Sequence, residues 1–359
     1  MNIGVFTRYD RNGASSRVRF LQFRPELEAR GFLFHHEPLF TDDYIQALQL
    51  GQVKRGSALS ALVRRMRALH AAQQFDLLWV EKDTLPWLPA ALELALIPKD
   101  IPLVLDYDDA VFHQYDMHAN GVVRWLLGTK HQSLMRRSSL VVAGNQYIAD
   151  YATRAGACNV VLLPTVVDLD RYSPTSRNHD TIKYATPTVG WIGQKSTASF
   201  LQPLAQIIQK LSNENLMQFR AIGINAQELG LAMASEAWSE KGEVASIQSL
   251  DVGIMPLQDG PFERGKCGYK LIQYMACGLP VVASPVGVNE TIVEHGVNGF
   301  LATTLEEWEH ALRTLATDPA LRRRMGEAGR AKVEREFCLQ IAAPRLAGWL
   351  NEAANGKRG

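Results

Sequence analysis

Residues Gly265–Gly287 read GKCGYKLIQYMACGLPVVASPVG, and this stretch decides the fold. Glycines open it at Gly265 and Gly268. Leu271, Ile272, Met275 and Ala276 then recur on one side of a helix at about 100° per residue. Lys270, Gln273, Tyr274 and Cys277 fall on the other side. Gly278-Leu279-Pro280 stops the helix, with glycine where a left-handed cap residue is wanted. Val281-Val282-Ala283 reads as a short buried strand. The pattern is loop, helix, strand, with a lysine at the helix N-terminus. Backbone N–H groups and the helix dipole make such a terminus an anion site, and phosphate is the expected anion. An ordinary buried α/β unit carries the same pattern, so the pattern alone assigns no function.

Met275-Ala276-Cys277-Gly278-Leu279-Pro280-Val281-Val282 resembles, residue for residue, the Met-Ala-x-Gly-x-Pro-Val-Val run of a large glycosyltransferase family. That family is the retaining GT-B-fold type (glycosyl transferases group 1, within the glycogen synthase-like superfamily). In it, two glutamates separated by seven residues precede the run. Here Gly265 and Gln273 occupy those places, and Glu263 lies two positions early. The resemblance implies an α/β, GT-B fold: two Rossmann-like, doubly wound parallel-sheet domains facing across a cleft. It implies an acceptor-side domain over 1–170, a linker over 171–186 and a donor-side domain over 187–343. A last helix, 345–359, is expected to rejoin the first domain.

The resemblance also implies the substrates. The donor is a nucleotide-diphosphate sugar, consumed as substrate, with no cofactor and no metal; the acceptor is a glycan or a lipid-linked acceptor. Asp108, Glu263 and Lys270 are the expected catalytic residues. Gly13, Arg17, Gly193, Lys195, Lys266, Gly268, Tyr269 and Gln273 are the expected donor-binding ones. Trp191 stands where the family has a diphosphate-binding arginine, and Lys195 is one position before the family's lysine. Phosphate charge therefore falls chiefly to Lys266 and Lys270.

Composition bounds the reading. The 359 residues are 47% hydrophobic and 21% charged, with a formal net charge of +1. At about 150 residues per domain this predicts two domains, each with its own core. A balanced charge, and no basic tract interleaved with aromatics, argues against nucleic acid as a partner. The opening MNIGVFTRYDRNG lacks the long apolar run of a signal peptide, and no apolar run reaches the roughly 20 residues of a membrane span. Cys158, Cys267, Cys277 and Cys338 have no metal-ligand spacing, which predicts reduced thiols and a cytoplasmic location.

Along the chain, Asn2–Thr7 reads as a first strand, followed by a turn and a helix over Arg17–Arg30. Asp76–Val80 and Leu103–Leu105 read as buried strands. The second of these ends in Asp106-Tyr107-Asp108-Asp109, and carboxylates at a strand's carboxyl end lie where α/β folds bind ligands. Ser57–Gln73 is amphipathic and, with Lys54, Arg55, Arg64, Arg65 and Arg67, forms an acid-free basic stretch. Such a helix can lie on anionic lipid, which would bring the enzyme to the inner face of a membrane when its acceptor is lipid-linked. A core-packed helix with a solvated basic face is the alternative. Thr165–Pro174 resembles the family's inter-domain segment at Asp168 and Tyr172. Thr188–Gly193 is the first strand of the second domain, Ser196–Leu211 a helix, and Pro344 a break before a final helix over Arg345–Ala354. No Gly-x-Gly-x-x-Gly follows a strand, so a nicotinamide or flavin enzyme is poorly supported. Two other functions stay open: a sugar-nucleotide isomerase using Asp106, Asp108 and Glu263, and a non-catalytic nucleotide-sugar binder.

Overall fold

The computed structural model describes residues 1–49, 52, 56–174 and 186–356. The chain forms two compact units. The first comprises Met1–Val166, Arg264–Cys267 and Leu339–Gly359; the second comprises Val167–Glu263 and Gly268–Cys338. Residues 175–185, most of the expected linker, lie outside the described residues. Arg264–Cys267 therefore packs with the first unit, although it was expected in the donor-side domain.

The first unit holds strands β1 (Asn2–Tyr9), β2 (Leu33–Phe40), β3 (Leu77–Glu81), β4 (Leu103–Tyr107), β5 (Leu140–Ala143) and β6 (Val160–Leu162). They pair in the order β2-β1-β3-β4-β5-β6, every pair parallel. A parallel sheet is covered on both faces, which explains why β3 and β4 are near-continuous apolar runs, buried throughout. Alternate residues feed different layers. Leu78 and Val80 pack on one face; Leu77 and Trp79 pack on the other, beside Leu339, Ala343, Leu346 and Leu350.

Those last residues belong to one helix, Leu339–Asn355, which runs straight through Pro344. The expected break there does not occur. Proline removes one backbone hydrogen bond, and the buried stripe of leucine and alanine on this helix outweighs that loss.

The second unit holds β7 (Thr188–Ile192), β8 (Gln218–Ile222), β9 (Ala234–Glu236), β10 (Val252–Met255), β11 (Val281–Ala283) and β12 (Gly299–Leu301). Their order is β12-β11-β10-β7-β8-β9, again all parallel. The helix expected over Ser196–Leu211 is two pieces: a 3-10 segment, Lys195–Leu204, and an α-helix, Ala205–Asn213. Pro203, inside the 3-10 segment, lacks the N–H that a continuous α-helix would need there.

The Tyr269–Ala276 helix lies in the core of this unit. Both sides of it are covered: Gln273, Tyr274 and Cys277 are as buried as Leu271 and Met275. Ile192 N donates to the Tyr274 hydroxyl at 2.9 Å. The long helix Pro319–Glu336 crosses it closely. A Cβ at Gly326 would lie 1.9 Å from the Gly278 carbonyl oxygen, so this crossing requires glycine.

Each sheet changes direction once. In the first, β1 leads outward to β2 while β3 to β6 run the other way; in the second, the reversal falls between β7 and β10. Ligands of open α/β sheets sit outside the carboxyl ends of the strands at such a reversal. That rule places the candidate half-site of each unit.

Candidate functional site

In the second unit the reversal point is built from Trp191, Gly193 and Lys270. Gly193 follows β7 and donates its backbone N–H to Ile222 O at 3.0 Å. A Cβ there would meet the Trp191 ring at 2.4 Å and Lys270 Cε at 3.1 Å, so the glycine lets the lysine reach the turn. Lys270 Nζ lies 5.0 Å from the centroid of the Trp191 ring. A cation over an indole face is held electrostatically. Thus the tryptophan in the family's arginine place fixes the lysine one strand away. Lys270 sits in the first turn of the Tyr269–Ala276 helix, whose cap Gly268 has φ 64°. A side chain at Gly268 would also strike Ile292 Cδ1 at 2.3 Å. The first N–H groups of a helix have no intrahelical acceptors, so helix terminus and ammonium together suit an anion.

The remaining donor-side candidates lie differently. Lys195 is exposed at the start of the 3-10 segment. Glu263 lies in the short helix Pro261–Arg264, its carboxylate against Gly260. Gln273 is buried, and its Nε2 donates to the Tyr172 hydroxyl at 2.8 Å. Tyr172 donates in turn to Glu243 Oε1, and Trp238 Nε1 donates to Glu243 Oε2 at 2.7 Å. Burial, then the Tyr269 hydroxyl and Glu243, push the Tyr172 phenol well above its ordinary pKa, so it stays a donor.

Lys266 and Gly265 belong to the first unit. Asn145 Nδ2 donates to Gly265 O at 2.7 Å and to Lys266 O at 3.0 Å. The same Asn145 caps the Gln146–Arg154 helix. Lys266 Nζ is 3.8 Å from Asp109 Oδ1. A Cβ at Gly265 would lie 2.3 Å from Ala110 Cβ, which leaves no room for a glutamate at that position.

In the first unit the reversal point holds a set of paired charges. Lys82 Nζ is 2.7 Å from Asp108 Oδ1 and 3.4 Å from Ser15 Oγ. Lys82 follows β3 directly and has φ 64°, a left-handed conformation that costs a side-chain-bearing residue about 1 kcal/mol or more. Burial opposes ionisation of Asp108, but the Lys82 ammonium and the Lys82 and Ser15 hydrogen bonds more than offset it and hold the carboxyl below its ordinary value. Asp106 points to Arg19, with Nε 2.8 Å from Oδ1. Burial nevertheless pushes the Asp106 carboxyl up to about 6. Gly13 lies tight against Tyr9, and Arg17 is buried with Nη1 donating to Arg11 O at 3.0 Å. Beneath the edge, Lys130 Nζ bridges Asp83 at 2.8 Å and Glu93 at 3.1 Å, and Arg8 reaches Asp83 at 2.7 Å.

Lys82, Asp83 and the Tyr172–Glu243 pair were missed in the sequence reading. The signal for the first two was present: Glu81-Lys82-Asp83 is a run of charges directly after the apolar Leu77–Val80. Tyr172, Gln273 and Glu243 come from three separate segments and carry no shared local signal. Of the basic stretch, Lys54 and Arg55 lie outside the described residues. Arg65 is buried and donates to Thr7 O and Glu37 O, and Arg64 donates to Leu39 O. Among the described residues no cluster of three or more His, Cys, Asp or Glu could hold a metal ion.

Comparison with known proteins identifies the fold and a family match over part of the chain. The two all-parallel six-stranded sheets form the GT-B fold of glycosyltransferases. Residues 186–318 match the family model for glycosyl transferases group 1. Sucrose-phosphate synthase from Thermosynechococcus elongatus superposes with a TM-score of 0.73 at 18% identity, covering 98% of each chain. Anabaena HepE in complex with UDP-glucose superposes with a TM-score of 0.71 at 16% identity, covering 98% of this chain and 99% of its own. In sequence, D-inositol 3-phosphate glycosyltransferase of Corynebacterium jeikeium (strain K411) is 24% identical over 219 residues, 52% of this chain and 51% of the relative. The chain spans about half, or less, of the length of the curated relatives it matches.

Proposed function

We propose that this protein is a glycosyltransferase that moves a sugar from a nucleotide-diphosphate donor to an acceptor hydroxyl, with retention at the anomeric carbon and without a divalent metal. The observation that carries the reading is the Trp191–Gly193–Lys270 arrangement at the reversal point of the sheet in the family-matched unit. The bond that breaks joins the anomeric carbon to the diphosphate, so negative charge grows on phosphate oxygen. A fixed ammonium and a helix N-terminus stabilise that charge in proportion to its growth, which is what lowers a barrier. The new bond forms between the acceptor oxygen and the anomeric carbon on the leaving-group face, and the departing phosphate oxygen takes the hydroxyl proton. No separate protein base is then needed. The acceptor is a glycan or a lipid-linked sugar, and the first unit, with Asp108 at its strand ends, takes it.

The isomerase reading is not favoured. It needs paired carboxylates poised to exchange protons, and Asp108 is held ionised by Lys82.

A thermal-shift screen of UDP-, GDP- and ADP-sugars, each with and without chelator, tests the donor, because a ligand bound only by the folded state raises its melting temperature. An absolute need for Mg²⁺ or Mn²⁺ would sink the metal-free reading. Proton NMR of the first product, before mutarotation, tests retention. A β-linked product from an α-linked donor would refute it and direct attention to Asp106 or Asp108 as base.

A further inference from the structure

A cavity of about 280 Å³ opens in the first unit between the helices Asp42–Gln49 and Ser57–His70. Its floor is the carboxyl end of β2, Leu39 and Phe40. Every residue that lines it belongs to the first unit, whereas Trp191, Gly193 and Lys270 belong to the second.

The walls are tied to the sheet. Phe40 and Tyr44 stack with ring centroids 4.5 Å apart and planes 20° from parallel, and Tyr9 packs on Phe40 at 5.9 Å. Asp42, which opens the first helix, accepts from Asn12 N at 2.9 Å. Two arginines fasten the second helix. Arg64 donates to Leu39 O at 2.6 Å, and the buried Arg65 donates to Thr7 O at 2.6 Å and to Glu37 O at 2.9 Å. Arg65 thus spends its charge on backbone carbonyls of β1 and β2, which holds the helix against the strands beside the cavity.

The lining is of two kinds. Leu39, Phe40, Tyr44 and Ala61 present apolar and aromatic surface. Asp43, Gln52, Ser60 and Arg64 are exposed and bring polar groups to the rim. A carboxylate only accepts hydrogen bonds, a guanidinium only donates them, and an amide or hydroxyl does both. One carboxylate and one guanidinium leave the lining without net charge, which does not suit a nucleotide or a polyanion. A pyranose ring matches it. The ring has an apolar C–H face for an aromatic side chain and a girdle of hydroxyls that each donate and accept. Ligand cavities run to roughly 300–1,000 Å³, so this one is at the small end and takes a sugar unit, not a whole nucleotide sugar.

The carboxyl ends of parallel strands share one edge of a sheet. β1 and β3 lie between β2 and β4, so Phe40 sits three strand spacings, roughly 14 Å, along that edge from Tyr107, the residue before Asp108. We infer that the cavity binds a neutral sugar unit of the acceptor glycan, set back along the glycan from the unit whose hydroxyl reacts. The role as an acceptor subsite rests on the transferase reading; the binding of a sugar there does not.

Saturation-transfer NMR on the full chain tests the binding. The probes are neutral gluco-, galacto- and manno-oligosaccharides from monosaccharide to tetrasaccharide, with a uronate and a sugar phosphate as charged controls. At least one neutral series should bind. Tyr44→Ala, which removes the aromatic face, should weaken that binding on the order of tenfold. Ser60→Trp, which fills the cavity, should weaken it further. Lys270→Ala should bind the same sugar as the parent does while losing the nucleotide-sugar thermal shift, so failure of the sugar site and failure of the donor site are distinguishable. In a transfer assay Ser60→Trp should raise KM for the longer acceptor towards that of the monosaccharide, with kcat near the parent's. Binding of no neutral series, binding of the charged controls alone, or parent-like affinity in both Tyr44→Ala and Ser60→Trp overturns the assignment. Should Ser60→Trp melt below the parent, Tyr44→Ala and Asp43→Asn decide, and parent-like affinity in both overturns it equally.

Discussion

Lys82 Nζ lies 2.7 Å from Asp108 Oδ1, and the lysine that makes this contact has a left-handed backbone. The two residues directly follow neighbouring parallel strands, β3 and β4, so the sheet pairing brings their positions together. Both side chains are largely buried. Removing one partner of such a pair leaves the other charged and without compensation, at a cost of about 3–5 kcal/mol. Lys82→Ala should cost that much in urea unfolding at neutral pH, with Lys82→Arg milder. The pH dependence has a definite sign. Asp108 is held below its ordinary value, so its contribution is present above the unfolded-state pKa and is lost as pH falls through the lower folded one. In Lys82→Ala burial acts on Asp108 without the ammonium and raises its folded-state pKa, so that acid-side loss should shrink or reverse. An unchanged acid limb would show that Lys82 does not set the charge of Asp108.

Lys270 should matter more for the donor than any other cation of the second unit. A charge-assisted phosphate contact contributes roughly 1.5–3 kcal/mol, so Lys270→Ala should weaken nucleotide-sugar binding about 10–100-fold by calorimetry. Trp191→Leu should weaken it less, because it frees the ammonium without removing it. Lys266→Ala belongs beside them; Lys266 packs with the first unit near Asp109, and a smaller effect is expected. Full binding by Lys270→Ala would remove this lysine from the site.

Gln273→Glu, which restores the family's acid, should destabilise the protein and fail to raise activity. Gln273 donates to Tyr172, whose single proton already goes to Glu243. A glutamate would face a second acceptor in a buried place, a cost of at least about 1–3 kcal/mol. Tyr172→Phe should cost a similar amount, because Gln273 loses its acceptor and Glu243 loses one of its donors. Equal melting temperatures for Gln273→Glu and the parent would refute this account of the buried glutamine.

Asp106 gives the opposite pH signature to Asp108. Its carboxyl is raised to about 6 by burial, against the pull of Arg19. A raised carboxyl favours the folded state most below the ordinary carboxylate pKa, and that advantage is lost as pH rises through the folded value. Between about pH 4 and 6 the parent should therefore lose on the order of 1–3 kcal/mol relative to Asp106→Asn. Unfolding free energies across that range check the slope, and parallel curves would count against it.

The fold was legible because its determinants are local. A parallel strand buried on both faces must be a short apolar run, and Leu77–Val80, Leu103–Leu105 and Val281–Ala283 are such runs between turn signals. Gly278-Leu279-Pro280 stops a helix wherever it sits, so the Met275–Val282 run announces its own loop, helix and strand order. Asp108 was legible as a strand-end carboxylate for the same reason: strand ends can be counted along the chain.

Partnership between distant segments was decided only by the tertiary structure. Periodicity marks the apolar face of a helix but cannot say that the other face, with Gln273 and Tyr274, is also covered. Arg65 reads as a surface cation because nothing local supplies the backbone carbonyls of Thr7 and Glu37 that receive it. Lys82 finds Asp108 because β3 and β4 pair in one register, and a register is a property of the sheet. Pro344 stays inside a helix because the buried leucines beside it outweigh one missing hydrogen bond, a balance no single residue reveals.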